Sequence, residues 1–301
     1  MAEKTEFEEP EYEGALYNQL LNQDLRIWTP GRVFERIIGI DSAIYANNLI
    51  FWSLFNYQGP LIGVNLRQVN LRFLFRWFQK RIRPFPTFKV NLLIQSKRPS
   101  HRNGVNATYA LNGIKGQYWQ FKTKQHQQAI LEKLELQLGK NALVVYACSV
   151  FHKFDDLDRY IQQGQIIENS TFVKPNVLSG HGKWVFDTPG TTGLACSKIK
   201  KHEDISFAEM LKKLKEDSNE DIKNQEISDL DSLINIINKI CEEQQSNPLI
   251  KAYLRRKEIL KTVEEEYFFD NKEKREVEIF FNFLSFNLFT SIINVRWFSI
   301  E

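Results

Sequence analysis

The chain has 301 residues, of which 43% are hydrophobic and 26% are charged, with a formal net charge of +3. This composition is typical of a globular protein with a full hydrophobic core, and it excludes a disordered or fibrous chain. The three cysteines are widely spaced and odd in number, which argues against a disulfide framework and favours a reducing compartment. The acidic first residues, MAEKTEFEEPEYEG, lack the apolar core of a signal peptide, so we expect a cytoplasmic protein.

Two apolar stretches, residues 49–66 and 279–295, raise the question of a membrane span. The first contains Asn, Gln, Gly and Pro, and the second contains Asn, Ser and Thr although it carries no charge. Neither reaches the roughly 20 strongly apolar residues that a spanning helix needs. We therefore expect both stretches to be buried elements or partner interfaces, and we expect no membrane association.

Lysine and arginine are concentrated in one part of the chain. Residues 42–131 contain no Asp or Glu, whereas 13 Lys or Arg residues lie there. A positive surface of this extent attracts polyanions, and nucleic acid is the partner that we expect. The simpler alternative is a basic patch that is balanced by acidic groups elsewhere in the fold.

Periodicity and turn signals predict an alternation of helices and strands, followed by helices alone. The predicted elements are a partly ordered helix within the first 25 residues, a short helix over 32–38, a strand over 40–46, a segment over 67–81 that fits either a helix or a bent strand, a strand over 88–95, an amphipathic helix over 125–138 and a buried strand over 141–150. Gly139 fits the end of the amphipathic helix. Beyond residue 203, a capping box at Ser206 and Glu209 begins a helix, and further helices are predicted over 228–244, 247–268 and 272–289.

Two short clusters carry residues that are suited to phosphodiester hydrolysis. The first is Glu35-Arg-Ile-Ile-Gly-Ile-Asp41, and the second is Gln95-Ser-Lys97 at the end of the apolar strand FKVNLLIQ. Carboxylate and amide oxygens can hold Mg²⁺ beside a scissile phosphate, and a cation can stabilise the charge that develops there. Because alternate residues of a strand share a face, Gln95 and Lys97 should point the same way, and Asp41 on a neighbouring strand could meet Gln95. Glu35, on the preceding helix, could reach the same ion.

The pattern ExxxGxD followed by QxK resembles the active-site motif of PD-(D/E)xK nucleases, in the Mrr-like variant in which Gln replaces the acidic residue before x-Lys. The flanking sequences GIDSAIYANN, FKVNLLIQSKRP, HQQAILEKL and NALVVYACSVF are similar to those of bacterial phage-defence nucleases. The resemblance covers residues 30–155 or so. It implies Asp41 and Gln95 as ligands of Mg²⁺ or Mn²⁺, Glu35 as an accessory ligand and Lys97 as the catalytic cation. The 54 positions between Asp41 and Gln95 imply an insertion.

The fold that the resemblance implies is an α/β, restriction-endonuclease-like core, a mixed sheet flanked by helices, with a C-terminal helical domain. We expect a nuclease-like domain over residues 1–202 and a helical domain over 203–301 that binds a protein partner or a second copy. The implied activity is metal-dependent endonucleolytic hydrolysis of DNA, as the effector subunit of an antiviral defence complex. The alternative is a catalytically inactive nucleic-acid-binding or scaffold subunit of such a complex.

A second group of polar residues around the motif is predicted to contact nucleic acid. It consists of Arg98, His101, Arg102, Lys115, Lys122, Lys124, His126 and Gln128. His101 and Arg102 follow the motif in a loop bounded by Pro and Gly, which favours contact with phosphate. His126 and Gln128 open the amphipathic helix, where a plain polar role at a helix start is an equally good interpretation.

Two further patterns favour structural roles. Cys148 and His152 have the spacing of metal ligands, and His181 and Cys196 could complete a zinc site, but the sequence offers no second tight pair. A buried Cys148 in an apolar strand is the favoured interpretation. The aromatic residues of YWQF, at 118–121, lie between lysines and could stack on bases, but a core strand is favoured there.

Overall fold

A computed structural model describes residues 2–22, 27–28, 90–221, 230–268 and 274–300 of the chain. The predicted elements over 32–38, 40–46 and 67–81 lie outside the described residues. Glu35 and Asp41 therefore lie outside them as well, and their proposed roles stay predictions from the sequence.

The described residues form strands, which pair into two sheets, and helices. The strands are β1 (Ala2–Glu3), β2 (Ile27–Trp28), β3 (Val90–Lys97), β4 (Ser100–Arg102), β5 (Tyr118–Lys122), β6 (Ala142–Ser149), β7 (Ser170–Val173), β8 (Lys183–Phe186), β9 (Gly193–Cys196), β10 (Lys200–His202) and β11 (Arg296–Ile300). The helices are α1 (Glu9–Asn22), α2 (Ala107–Ala110), α3 (Gln125–Leu138), α4 (Phe154–Gln163), α5 (Phe207–Asp221), α6 (Leu230–Glu243), α7 (Pro248–Phe268) and α8 (Lys274–Ile292). The predicted mixed α/β class is thus confirmed.

The first sheet has five strands in the order β2-β11-β3-β6-β7. Its two central strands, β3 and β6, are parallel, and α3 lies in the connection between them. Every residue of β6 is buried, as are residues 91–97 of β3. Continuous burial of this kind is expected where helices cover both faces of a parallel pair. The apolar runs LLI and ALVVYAC supply the side chains that this environment requires.

Helices α1 and α5 cover one face of this sheet. Their apolar residues join those of the strands in one buried cluster, which includes Leu16 of α1, Ile94 of β3, Val145 of β6 and Phe207 of α5. In contrast, Gln95 and Lys97 of β3 contact α3. The sheet is therefore sandwiched between helices, and β3 presents its polar end to α3.

The second sheet has six strands in the order β1-β4-β5-β8-β9-β10, with every neighbouring pair antiparallel. The chain enters it directly from β3, through Arg98 and Pro99. Residues 118–121 of β5 are buried, which confirms the prediction of a core strand there. The resemblance implied one mixed sheet, whereas the structure has two. The short strands β4 and β8–β10 carry too little periodicity to be predicted from the sequence.

Several local predictions agree with the structure. Helix α3 has the predicted bounds and ends at Gly139, whose φ of 52° is a conformation that glycine adopts at low cost. The capping box is present, since the Ser206 backbone N–H donates to Glu209 at 2.9 Å and the Ser206 hydroxyl accepts from the Glu209 N–H at 3.3 Å. Cys148 is fully buried, as predicted.

By its contacts the chain divides into two compact units that interleave along the sequence. One comprises residues 1–27, 89–225 and 295–301, and the other comprises residues 28–88 and 226–294. Helix α5 and strand β11, which follow residue 202, thus belong to the unit that carries β3. The predicted division into a nuclease-like domain and a partner-binding domain is a statement about function, and it stays a prediction.

In the second unit, α8 packs against α6 and α7. Five phenylalanines of α8 are buried, namely Phe280, Phe281, Phe283, Phe286 and Phe289. The Tyr253 ring of α7 meets Phe289 edge-on at 5.2 Å, and the Tyr253 hydroxyl lies 2.7 Å from the Ser285 hydroxyl. The expectation that residues 279–295 are buried is therefore confirmed for α8. Within the part of the chain that the structure describes, no helix is long and apolar enough to cross a membrane.

Candidate active site

The QxK motif occupies the C-terminal end of β3. Gln95 pairs with Tyr146 of β6 and Lys97 pairs with Cys148, whereas the pairing of β3 with β11 ends at Ile94. Both motif side chains point to the α3 side of the sheet, as the alternation along a strand predicts. In contrast, the intervening Ser96 lies 3.3 Å from the Tyr17 hydroxyl of α1, on the opposite face.

Gln127, in the first turn of α3, joins the two motif residues. The Lys97 ammonium donates to Gln127 Oε1 at 2.9 Å, and the Gln127 amide donates to Gln95 Oε1. The Gln95 amide in turn donates to the Ser96 carbonyl oxygen at 2.9 Å. Gln95 is 1% exposed, Gln127 5% and Lys97 7%, so this chain of hydrogen bonds is shielded from water and each bond is correspondingly strong.

A second hydrogen-bonded group lies beside the first. Gln128 accepts a hydrogen bond of 2.6 Å from the Tyr146 hydroxyl and donates to the Pro175 carbonyl oxygen at 2.7 Å. The Lys97 ammonium lies 5.5 Å from the centroid of the Tyr146 ring, a distance at which the ring face attracts a cation. Tyr146 thus connects the two groups across β6.

Burial dominates the electrostatics of Lys97. It lowers the pKa of Lys97 to about 8, because a charged ammonium loses hydration in this environment. The negative charge of Glu9, in the first turn of α1, acts against this shift, whereas the positive charge of Lys124 adds to it. At pH 7 Lys97 is therefore a cation, yet its proton is held less tightly than that of an ordinary lysine.

The residues predicted to contact nucleic acid fall into two groups. Lys115, Lys122, Lys124 and His126 are exposed. Three of these, at 122, 124 and 126, lie at the end of β5 and the start of α3, beside the end of β3. An anion at this helix start would also experience the favourable end of the helix dipole.

The other predicted contacts are less accessible. Arg98 is half-buried and pairs with Glu8 at 2.8 Å, and Arg102 is half-buried as well. His101 and Gln128 are buried and engaged in hydrogen bonds, so a phosphate could contact them only after a rearrangement.

The described donor atoms only partly fit a Mg²⁺ site. Beside Lys97 they are the neutral amide oxygens of Gln95 and Gln127. Mg²⁺ prefers an oxygen environment that includes one or two carboxylates. Gln95 Oε1 fits as one ligand if the Gln127 amide releases it, and the carboxylates predicted for the site, Asp41 and Glu35, lie outside the described residues.

Sequence reasoning missed Gln127 and Tyr146 as members of this site, and it missed the influence of the Glu9 charge on Lys97. For Gln127 a signal was available, since a helix that connects two parallel strands places its first turn near the strand ends at which ligands bind. No such signal existed for Glu9, which is 88 positions from Lys97 and on a helix that packs on the other face of the sheet.

Comparison of the chain with family models, with curated proteins and with solved structures found no significant match in any of the three. The interpretation of the site therefore rests on its own geometry and on the motif residues.

Proposed function

We propose that the chain is a metal-dependent nuclease of the PD-(D/E)xK kind, with its active site at the C-terminal end of β3. The observation that carries the proposal is the buried Lys97 ammonium beside Gln95, on one face of the central strand, with its pKa lowered to about 8. Buried lysines with a lowered pKa are concentrated at functional sites, because burying a charge in a purely structural position is destabilising.

The chemistry of Lys97 suits phosphodiester hydrolysis. As a cation at neutral pH it can stabilise the negative charge that develops on the phosphate. Because its pKa lies close to neutrality, its neutral form can accept a proton from the attacking water, or its cationic form can donate one to the leaving oxygen. Gln127 fixes the position of the ammonium, and the Tyr146 ring lies beside it.

The metal in this proposal is Mg²⁺ or Mn²⁺, held by Asp41, Gln95 and Glu35. When bound, such an ion activates water and neutralises charge on the phosphate. The position of Gln95 at the C-terminal end of β3 supports this role.

DNA is the proposed substrate, and the exposed cations at the start of α3 are its proposed contacts. Lys122, Lys124 and His126 lie beside the strand end that carries Lys97, so a backbone phosphate bound by them would be near the motif. The role as effector subunit of an antiviral defence complex, with a protein partner or a second copy bound by the helical region, follows from the motif resemblance.

One observation favours the alternative, a catalytically inactive nucleic-acid-binding or scaffold subunit. Gln95, Gln127 and Lys97 are buried and satisfy one another by hydrogen bonds, so the motif is stable without a ligand. Such a subunit would keep the exposed cations but would not cleave.

Cleavage of supercoiled plasmid DNA, with and without Mn²⁺, distinguishes the two. We expect the wild-type chain to cleave only with the metal, and Asp41→Ala to lower the rate by about 10³ or more while DNA binding persists. Asp158→Ala, which removes an exposed acid of α4, is the matched control and should cleave normally. Binding without metal-dependent cleavage, or an Asp41→Ala chain that cleaves normally, would contradict the proposal.

A further inference from the structure

A cluster of two histidines and one carboxylate lies where β3 and β6 end. Glu3 belongs to β1, His101 to β4, and His152 follows β6. Each offers one ligand atom, and these atoms lie within 4.8 Å of one another. Within the described ranges, this is the sole group of three His, Cys, Asp or Glu residues close enough to hold a metal ion.

The carboxylate brings the two rings together. Glu3 Oε2 lies 3.1 Å from His101 Nδ1 and 2.9 Å from His152 Nε2. The two imidazole rings are stacked, with centroids 3.9 Å apart and planes inclined by 12°. Hydrogen bonds from both histidines lower the pKa of Glu3, so its carboxylate is negatively charged at neutral pH.

The second ring nitrogens of the cluster are unsatisfied. His101 Nε2 and His152 Nδ1 are buried and have no hydrogen-bond partner, and the same is true of the indole nitrogen of the adjacent Trp119. The side chain of His101 is 3% exposed and that of His152 is 12% exposed. Buried polar groups in native proteins are nearly always paired, and these nitrogens are not the ones that contact Glu3, so they remain available to a bound species or to water.

The chemistry of the donors selects the kind of ion. Two imidazoles and one carboxylate are a usual ligand set for Zn²⁺, which keeps a fourth position for water or another ligand. Mg²⁺ and Ca²⁺ prefer oxygen donors and would not use two histidines. The Trp119 N–H cannot ligate a metal, but it can donate a hydrogen bond to water or an anion bound there.

From these observations we infer that Glu3, His101 and His152 bind one divalent transition-metal ion of the Zn²⁺ class. An ion that two imidazoles ligate lies in the plane of both rings, so at least one ring turns out of the stack when the ion binds. The cluster shares no residue with the group of Gln95, Lys97 and Gln127, and its binding of an ion does not depend on nuclease activity. The cluster connects the N-terminal segment to the residues that follow β3 and β6. Two hydrogen bonds already link these parts of the chain. The Thr5 hydroxyl donates to the Pro99 carbonyl oxygen, and the Glu6 N–H donates to the His152 carbonyl oxygen at 2.9 Å. The bound ion therefore stabilises the contact of the N-terminal segment with the residues that follow β3 and β6.

The test is Zn²⁺ binding by the full chain after dialysis against a chelator, measured by calorimetry. We expect saturable binding of one ion, a higher melting temperature with Zn²⁺ than without, and visible absorption when Co²⁺ replaces Zn²⁺. Hydrogen exchange at residues 2–8 should slow when the ion is bound. None of these measurements requires cleavage activity, so the outcome is independent of the proposed nuclease function.

Two variants and one control complete the experiment. Loss of an outer hydrogen-bond partner typically weakens metal binding about 10–100-fold, so loss of a ligand in Glu3→Gln or His152→Ala should weaken it at least as much. The Glu3 side chain is 47% exposed, so Glu3→Gln should fold even if His152→Ala does not. His202→Ala removes a histidine outside the cluster and should bind Zn²⁺ like the wild type. Absence of saturable binding to the folded wild-type chain, or unchanged binding by Glu3→Gln, would overturn the inference.

Discussion

The Lys97 ammonium donates a hydrogen bond of 2.9 Å to the side-chain oxygen of Gln127. Lys97 is the last residue of β3, and Gln127 lies in the first turn of α3, 30 positions later in the chain. This contact fixes the ammonium at the end of the two parallel strands, in an environment that lowers its pKa to about 8.

The lowered pKa of Lys97 predicts a specific dependence of stability on pH. Between pH 8 and 10.5 the unfolded chain holds a proton on this lysine that the folded chain has released, so the folded state gains stability as the pH rises. At about pH 9.5 the gain over neutral pH should be at most about 2 kcal/mol. The buried cysteines, whose pKa values are raised, lose stability over the same pH range, so the gain appears as a difference between the wild type and Lys97→Met. Urea unfolding at both pH values should show a change with pH that is more favourable in the wild type than in Lys97→Met by this amount, and Lys97→Met should also lack cleavage. Equal pH dependence in both chains would show that the pKa of Lys97 is ordinary.

Substitutions at Gln95 separate metal ligation from a purely structural role. Gln95→Glu should keep activity and lower the metal concentration needed for half-maximal cleavage, because a carboxylate attracts the ion more strongly than an amide. Gln95→Leu should lose activity. It should also lower stability by about 1–3 kcal/mol, because it removes the buried acceptor of the Gln127 amide.

The free energy of unfolding alone therefore does not distinguish metal ligation by Gln95 from a purely structural role. The metal concentration needed for half-maximal cleavage does distinguish them. Gln120→Glu on β5, in the other sheet, is the matched control and should leave the metal requirement unchanged. An active Gln95→Leu chain combined with an unfolded Gln95→Glu chain would exclude ligation by Gln95.

The exposed lysines at the start of α3 should determine how DNA binding depends on salt. If about six cations contact phosphates, the slope of log K against log[salt] should be near −5. The double variant Lys122→Glu/Lys124→Glu should make this slope shallower by about 2. Lys212→Glu on α5, whose side chain is 75% exposed, is the control and should keep the slope. Arg98 is a poorer target because its ion pair with Glu8 supports the fold. An unchanged slope in the double variant would remove these lysines from the interface.

Strand β11 should be essential for the stability of the unit that carries the site. It pairs with residues 90–94 of β3, buries Trp297 and Phe298, and places the Trp297 indole N–H 2.8 Å from Asn91 Oδ1. Truncation after Asn294 should therefore give aggregated or partly unfolded protein, visible by light scattering. Phe298→Ala alone should cost about 3–5 kcal/mol of unfolding free energy, whereas Arg296→Ala should cost about 1 kcal/mol or less. A soluble truncated chain with unchanged activity would show that β11 is dispensable.

The sequence by itself determined the elements whose signals are local. The apolar runs of β3 and β6, the amphipathic period of α3 and the capping box at Ser206 are all visible in short windows, and each appears in the structure. The alternation along β3 also placed Gln95 and Lys97 on one face. These predictions succeed because periodicity and capping depend on neighbours within a few residues.

Tertiary structure decided which distant segments meet. The insertion of β11 beside β3 brings together residues 206 positions apart, and the cluster of Glu3, His101 and His152 joins three separate segments. Similarly, Gln127 became a member of the site only through the packing of α3 on the sheet. A short window of sequence does not determine which segments make contact. These contacts form because whole faces of helices and sheets are buried against each other, and apolar faces on many segments are similar enough to pair in several ways.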